Sequence, residues 1–580
     1  MEIEGAEVRK LEGYLDWRKR PVDKSRQGGL FAAVFVLVAE VFENLAFLAN
    51  ASNLVTYFYQ YMHFPLAKSA NTVTNFMGTS FLLPLLGGYL SDAFMPTFVT
   101  VIAFAGIEFV GMVLLTIQAH YPSLKPEACD MKELQAGVCE QAHGSKAGML
   151  YMGLYLVALG VGGLKGSLPV HGAEQFDENE TKERWLRSNF FNWFLFSMCV
   201  GSLLAVTFVV WVQDNKGWQW GFGISTVSVL LILFAFVGGT TVYRNKIPQG
   251  SPLTRIAQVF VAAMYKRRIA MSQLHGNGMD DVRERERSAM ETADPLLQTS
   301  QFRFLDKASI PDPSCSSATG EESPWRLCSV TQVEEVKIML RVVPIFASTI
   351  MMNCCLAQLQ TFSVEQATTM DTTIKNFKVP AASLPSIPVI CMIILIPIYD
   401  QAFVPIARRI TGKETGISHL QRVGVGLLLS ILSMAVAALV ETKRKNIARN
   451  HGLLDSAQPL PITFLWVGLQ YLFLGLADMF TLAGLMEFFY TEAPSGMRSL
   501  ATALSWASIS MGYYLSSVLV SIVNSITSRI GHGVGWLAGN NLNRNYLDRF
   551  YWLLCVLSAL NFIHYLMWSI WFRNKNQMIK

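Results

Sequence analysis

Two carboxylates and one ammonium group interrupt stretches that otherwise have the length and apolarity of membrane-spanning helices. Glu40 and Glu43 fall in the run 29–53, and Lys165 falls in the run 148–170. A charge at the bilayer centre costs roughly 3 kcal/mol or more, so such residues usually face a protein interior or a watery cavity and mark a transport pathway. Spaced three apart, Glu40 and Glu43 share one helix face, one turn above the other. Burial favours the neutral form of a carboxylate and a nearby cation favours the charged form, so motion of such groups can load and release a proton. The alternative is a structural ion pair locking two helices. No nucleophile–base pair, metal cluster or phosphate loop accompanies these charges, so the chemistry expected is transport and not an enzyme reaction.

The elements that must position these residues are legible in the composition. Of 580 residues, 52% are hydrophobic and only 15% are charged, and the mean hydropathy is +0.33. Soluble proteins carry about 25% charged residues, so a soluble binding module is excluded and nothing points to a nucleic-acid partner. Twelve windows approach the ~20 residues a spanning helix needs: 29–53, 71–91, 97–118, 147–169, 189–212 and 219–243, then 337–358, 383–404, 420–441, 463–487, 501–524 and 549–573. The first follows a basic polar segment and lacks a cleavage pattern, so it is no signal peptide. The expected organisation is an all-α membrane protein: a polar N-terminal segment 1–28, a six-helix bundle 29–243, a linker 244–336, a second six-helix bundle 337–573 and a tail 574–580. Six plus six spans around a linker is the layout of the major facilitator fold, whose substrate site lies between the halves near the midplane.

Basic residues crowd the N-terminus (Arg9, Lys10, Arg18, Lys19, Arg20, Lys24, Arg26), which predicts a cytoplasmic start; an even number of spans returns the C-terminus, with Arg573, Lys575 and Lys580, to the same side. Arg184, Arg187, Lys266 to Arg268, Arg408 and Arg409 also fall inside. Lys443, Arg444, Lys445 and Arg449 disobey and lie outside. The sequon Asn179-Glu180-Thr181 is expected to be cytoplasmic and unglycosylated. Cys129 and Cys139 share one external loop, where a disulfide can form; Cys199, Cys354, Cys355, Cys391 and Cys555 read as apolar packers within spans. In the linker, residues 251–268 have helical periodicity with a basic end, which suggests an amphipathic helix at the inner surface. The remainder, with Asp280 to Arg287 and the Ser/Pro-rich 309–324, reads as a mobile segment open to a kinase.

Small residues mark close helix approaches. Gly87-Gly88-Tyr89-Leu90-Ser91-Asp92 ends the second span and is similar to the facilitator loop motif, in which the aspartate caps or pairs across the inner gate; the basic half of that motif is missing, since Met95-Pro96-Thr97 follows. Gly160, Gly162 and Gly163 let the fourth span pack tightly just before Lys165. Any one of them reads equally well as a generic packing glycine.

The string from Glu40 through Glu43-Asn44 to Asn53 resembles the first-helix motif of the proton-coupled oligopeptide transporter family. Gly160-Val-Gly-Gly-Leu-Lys165-Gly, His171-Gly-Ala-Glu-Gln-Phe-Asp177 and the run from Phe191 to Leu203 resemble its fourth helix, the following loop and its fifth helix. Asp214 to Gly223, Tyr399-Asp400 with His419-Leu-Gln-Arg422, and Glu487-Phe-Phe-Tyr with Met497-Arg-Ser499 look like the plant nitrate/peptide branch, and the whole looks most like the clade that imports abscisic acid and gibberellins. The resemblance implies uptake driven by the proton gradient with no cofactor, through rocking of two halves, with coupling residues at Glu40, Glu43, Lys165 and Asp478 and a gating role for Asp92. Asp478 also reads as a hydrogen-bonded interior aspartate. Departures from the family pattern bear on substrate. Its first-helix motif ends in a basic residue where this chain has Asn44, which leaves two acids facing one lysine. An aromatic pair becomes Phe47-Leu48, and a seventh-helix histidine of a dual-affinity nitrate carrier becomes Leu356. A more apolar wall with one buried cation suits an apolar organic acid. Lys165, Phe47, Leu48, Asn53, Asn353, Leu356, Gln358, Trp506 and Met511 are the candidate substrate contacts. The expectation is a multi-pass plasma-membrane importer of abscisic acid with protons, with gibberellin, low-affinity nitrate and a transporter-like sensor as alternatives.

Overall fold

The computed structural model describes residues 10–577 apart from 25, 65, 128, 130–138, 178–179, 249, 268–298, 300, 311–322, 375–376, 379–383, 385, 413–415, 455–458, 531–534 and 538–541. Arg9, Asn179, Arg268, the Asp280–Arg287 run and Lys580 therefore lie outside the described residues.

Among the described residues, eleven helices are long and apolar enough to cross a membrane. In the first half they are α1 (Gly29–Gln60), α4 (Thr97–His120), α5 (Gly144–Ala173), α6 (Thr181–Leu204, continued through a wide turn to Asn215) and α7 (Trp218–Gly238). The second half has α9 (Val330–Gln360), α10 (Ser386–Ile398, continued to Thr411), α11 (His419–Asn450), α12 (Leu465–Glu492), α13 (Arg498–Ile530) and α14 (Leu547–Gln577). The remaining span is split into α2 (Leu66–Leu82) and α3 (Pro84–Ala93). Proline has no N–H to donate and its ring clashes with the preceding turn, so the helix restarts at Pro84. The twelve-span expectation thus holds with one span built from two helices, extending beyond the window 71–91.

Buried glycines set the closest crossings. A Cβ at Gly87 would come 2.7 Å from Gly163 Cα, and one at Gly166 would come 2.4 Å from Pro84 O, so α3 and α5 meet backbone to backbone. Gly88 makes the same kind of contact across the halves: its Cβ would lie 2.6 Å from Ser499 O on α13. Small residues at such points let helices approach where apolar solvent supplies no driving force of its own.

The linker carries α8 (Pro252–Tyr265), started by Ser251, whose Oγ accepts from Thr254 N at 3.2 Å. Its apolar face (Val259, Ala262, Ala263) packs with Leu305, Ala308 and Cys328 against Val333 and Val336 at the base of α9. The reading of everything after this helix as mobile needs correction. Asp306 pairs with Lys337 at 2.5 Å, Thr299 Oγ1 donates to Glu334 at 2.7 Å, and Leu305 and Ala308 are fully buried. Residues 299 and 301–310 are held because their few apolar side chains meet a ready hydrophobic face on α9, which composition averaged over the linker concealed.

Two strands of the polar N-terminal segment, β1 (Lys10–Leu15) and β2 (Pro21–Asp23), form a small sheet with β3 (Asn245–Lys246). Arg244, buried beside it, donates to Gln27 O at 2.9 Å and pairs with Glu183 at 2.9 Å. The chain's start, the end of α7 and the start of α6 are thereby tied at one end of the bundle, here called the linker end. At the opposite end, three of the four basic residues that disobey the charge rule are individually engaged. Arg444 forms a two-bond pair with Glu441, Lys445 pairs with Asp548 at 3.0 Å, and Lys443 lies over the Trp466 ring at 3.4 Å. Cys129 and Cys139 form a disulfide.

Candidate functional site

Lys165 sits at the seam between the halves. Its position eight residues before the end of α5 places it well inside the bundle, since each residue adds ~1.5 Å along a helix. Lys165 Nζ donates to Glu43 Oε2 at 2.9 Å, and both side chains are 1% exposed. On the same helix, Asn44 Nδ2 donates to Glu40 Oε1 at 2.5 Å, so Asn44 engages the second acid through a neutral amide and supplies no positive charge. Phe47 and Trp506 frame the ammonium, their ring centroids 5.2 and 4.7 Å from Nζ. Trp506 comes from α13 in the second half and stacks on Phe81 of α2, centroids 6.0 Å apart and rings nearly parallel. One cation therefore links a carboxylate of one half to an aromatic face of the other, in a site closed to solvent. Low surrounding polarity strengthens both contacts.

The structure gathers Glu40, Glu43, Lys165, Phe47 and Trp506, and separates the other candidates from them. Asn53 lies ten residues beyond Glu43 on α1 and donates to Gln213 and Asp214, at 3.2 and 2.9 Å. Leu48 packs partly buried against Leu45, Ala49, Ala205 and Val209. Asn353 and Gln358 donate to Ser508 and Ser516 at 2.8 and 2.9 Å, bonds that fasten α9 to α13. Leu356 packs into the core cluster of the second half with Cys354, Cys355 and Leu554, and Met511 is 41% exposed on the far side of its helix from buried neighbours. Helical spacing alone did not say which face of the seventh and eleventh spans turns to Lys165. Asp478 is buried on α12 and stands near Cys199 of α6 and Tyr513 of α13, a second charge site at the seam and separate from the first.

Asp92 joins the two halves at the linker end. Its two carboxyl oxygens accept from the first free amides of α13, Ser499 N at 3.2 Å and Leu500 N at 2.8 Å. A carboxylate at a helix N-terminus satisfies donors that have no partner within the helix and meets the positive end of its dipole. Further bonds across the same end join Asn192 to Asp400 at 3.2 Å and Lys246 Nζ to Ser495 O at 2.7 Å. Near the middle, Ser510 donates to Gly78 O at 3.1 Å.

Sequence reasoning passed over Glu108, which is fully buried in the middle of α4. Its signal was the one used for Glu40: an acid interrupting an apolar run. It also passed over Phe81, which carries no polar flag. His419, Arg422 and Glu487 entered the sequence reading only as family motifs, and the structure brings them together, His419 and Arg422 facing Glu487 at 3.4 and 3.8 Å near the linker end.

Two six-helix halves, hydrogen-bonded at one end through a carboxylate and meeting around a buried charge pair, define a multi-span membrane transporter of major facilitator architecture. The POT family (PTR2) model matches residues 98–537. Two Arabidopsis thaliana proteins are each 56% identical to this chain: Protein NRT1/PTR FAMILY 4.6, over 99% of both chains, and Protein NRT1/PTR FAMILY 4.5, over 98% of both. The crystal structure of the POT family transporter PepTSo superposes with a TM-score of 0.60 at 19% identity, covering 93% of this chain and 98% of that one. A POT family transporter in complex with 5-aminolevulinic acid gives 0.56 at 13% identity, covering 94% and 98%. The chain belongs to the POT family, in its plant NRT1/PTR branch, and is a transporter and not an enzyme.

Proposed function

We propose that this transporter imports a weakly acidic plant hormone, abscisic acid in the first place, together with protons across the plasma membrane, with both chain termini cytoplasmic. The observation that carries the reading is the Lys165–Glu43 pair held between the Phe47 and Trp506 rings. A proton arriving on Glu43 weakens its hold on Lys165 and frees an ammonium for the substrate carboxylate, while the rings offer apolar surface to the substrate body. Breaking the Asp92 latch opens the site to the linker end, so that access alternates. Release then reverses the order of binding: the proton passes from Glu43 to the entering water, Glu43 recaptures Lys165, and the anion loses its partner and departs. A proton gradient supplies the drive. The linker, with its many hydroxyl side chains, is the natural place for a kinase to act on this cycle.

The test is uptake of labelled abscisic acid, gibberellin and nitrate by cells expressing the chain, at about pH 5.5 and about pH 7.5, with passive entry of the protonated acids set by a Lys165→Ala control. Saturable abscisic acid uptake that rises at acid pH and is absent in the control is the expected result. Saturable nitrate uptake without hormone uptake would overturn the substrate assignment, and uptake persisting in Lys165→Ala would overturn the role of the cation. Loss of signalling on deletion of 268–298, with uptake intact, would favour a sensor.

A further inference from the structure

Glu108 takes no part in the Lys165–Glu43 pair, yet it is fully buried and neither of its carboxyl oxygens has a hydrogen-bond partner among the described residues. Its place is fixed by backbone packing. A Cβ on Gly160 would come 2.4 Å from Glu108 Cβ and 2.7 Å from its Cα, so α4 and α5 cross there in direct contact. Glu108 lies within electrostatic reach of Glu43 on α1 and of Lys165 on α5. Of the other elements packed against α4, α7 has no ionisable side chain along its length, while α3 and β3, which touch α4, carry Asp92 and Lys246 at the linker end. Around this point the ionisable groups are therefore Glu40, Glu43, Glu108 and Lys165, three acids to one base.

An ionised carboxylate without a partner in such a place is too costly to persist, and the group neutralises instead. Lys165 is already engaged by Glu43, and Asn44 brings no charge. The remaining way to balance Glu108 is a proton.

We propose that Glu108 is a third proton-holding residue of the Lys165 cluster. It keeps a proton while the site is closed and exchanges it when the halves part and water reaches the crossing of α4 and α5. This deepens, and for its transport readout rests on, the proton-coupled reading given above. It implies that more than one proton can be held for each turn of the cycle, and that the pH dependence of uptake belongs to the cluster and not to Glu43 alone.

Glu108→Gln keeps the shape and the neutral character of a protonated acid while removing the exchangeable proton. The first readout is infrared absorption of the purified transporter in lipid, followed with pH. The parent should show a protonated-carboxyl band that Glu108→Gln lacks; identical spectra would overturn the proposal whatever the protein transports. The second readout is hormone uptake against pH. Glu108→Gln should reach the membrane normally but lose about tenfold of its acid stimulation, the equivalent of one pH unit, and Glu108→Asp should retain part of it. A Glu108→Gln profile that superimposes on the parent's, while Glu43→Gln abolishes the stimulation, would also overturn the proposal. A parent with no acid stimulation would sink the coupling reading instead, leaving the infrared result to decide the protonation of Glu108.

Discussion

Replacing Asp92 with Asn tests the latch at the linker end. In the closed arrangement both Asp92 oxygens accept amide protons from the start of α13, at 3.2 and 2.8 Å, and the residue is buried. Asparagine keeps one acceptor and turns an NH2 group toward the other amide, so one buried N–H loses its partner. Such a loss costs about 1–3 kcal/mol. The helix dipole adds about 0.3–1 kcal/mol for a carboxylate removed from an N-terminus. A central value of about 2 kcal/mol changes the balance between closed and open ends roughly 30-fold, enough to take a 99:1 preference to about 3:1. Spin labels at Lys182 and Arg409, exposed positions on opposite halves near this end, would report the change by electron–electron resonance as a new, longer distance population. Ser91→Ala is the matched control, because the neighbouring Ser91 hydroxyl is buried without a hydrogen bond among the described residues and its removal should leave the distribution alone. A distribution for Asp92→Asn that superimposes on the parent's would refute the latch.

Gly88→Ala should shift the same distances in the same direction, because the added Cβ would meet Ser499 backbone only 2.6 Å away and backbone cannot rotate aside; an unchanged distribution would mean that the halves give way elsewhere. Arg444→Met should lower thermal stability by about 3–5 kcal/mol, since it strands the fully buried Glu441 without its partner; adding Glu441→Gln should recover much of this, and simple additivity in the unfolding temperatures would argue against the pair. Alkylation of the denatured, unreduced chain should leave Cys129 and Cys139 unmodified, and peptide mapping that finds either one alkylated would show the bridge absent.

The major features of the membrane architecture were readable because they follow from one-dimensional signals. Apolar length gives the spans, the polar stretch 244–336 divides them into two sixes, and intramembrane charges mark Glu40, Glu43 and Lys165. The same signal would have found Glu108, had each lone acid in an apolar run been treated alike. The disulfide partners were legible from their shared loop.

What the sequence by itself determined is which residues are too costly to leave in lipid: the chain had to fold so that Glu40, Glu43, Glu108, Lys165 and Asp478 are enclosed. Only the tertiary structure decided their partners. Asn353, Gln358 and Leu356 were plausible substrate contacts by position, yet the rotation of α9 about its axis spends the two amides on α13 and turns Leu356 into the second half's core. That rotation is set by side-chain packing between helices that are apolar on nearly every face, so no periodic pattern in the chain announces it. The contact of Lys165 with Trp506 and of Asp92 with α13 join residues more than three hundred positions apart. Their meeting depends on how two separately formed halves dock, which is a property of shape and not of spacing.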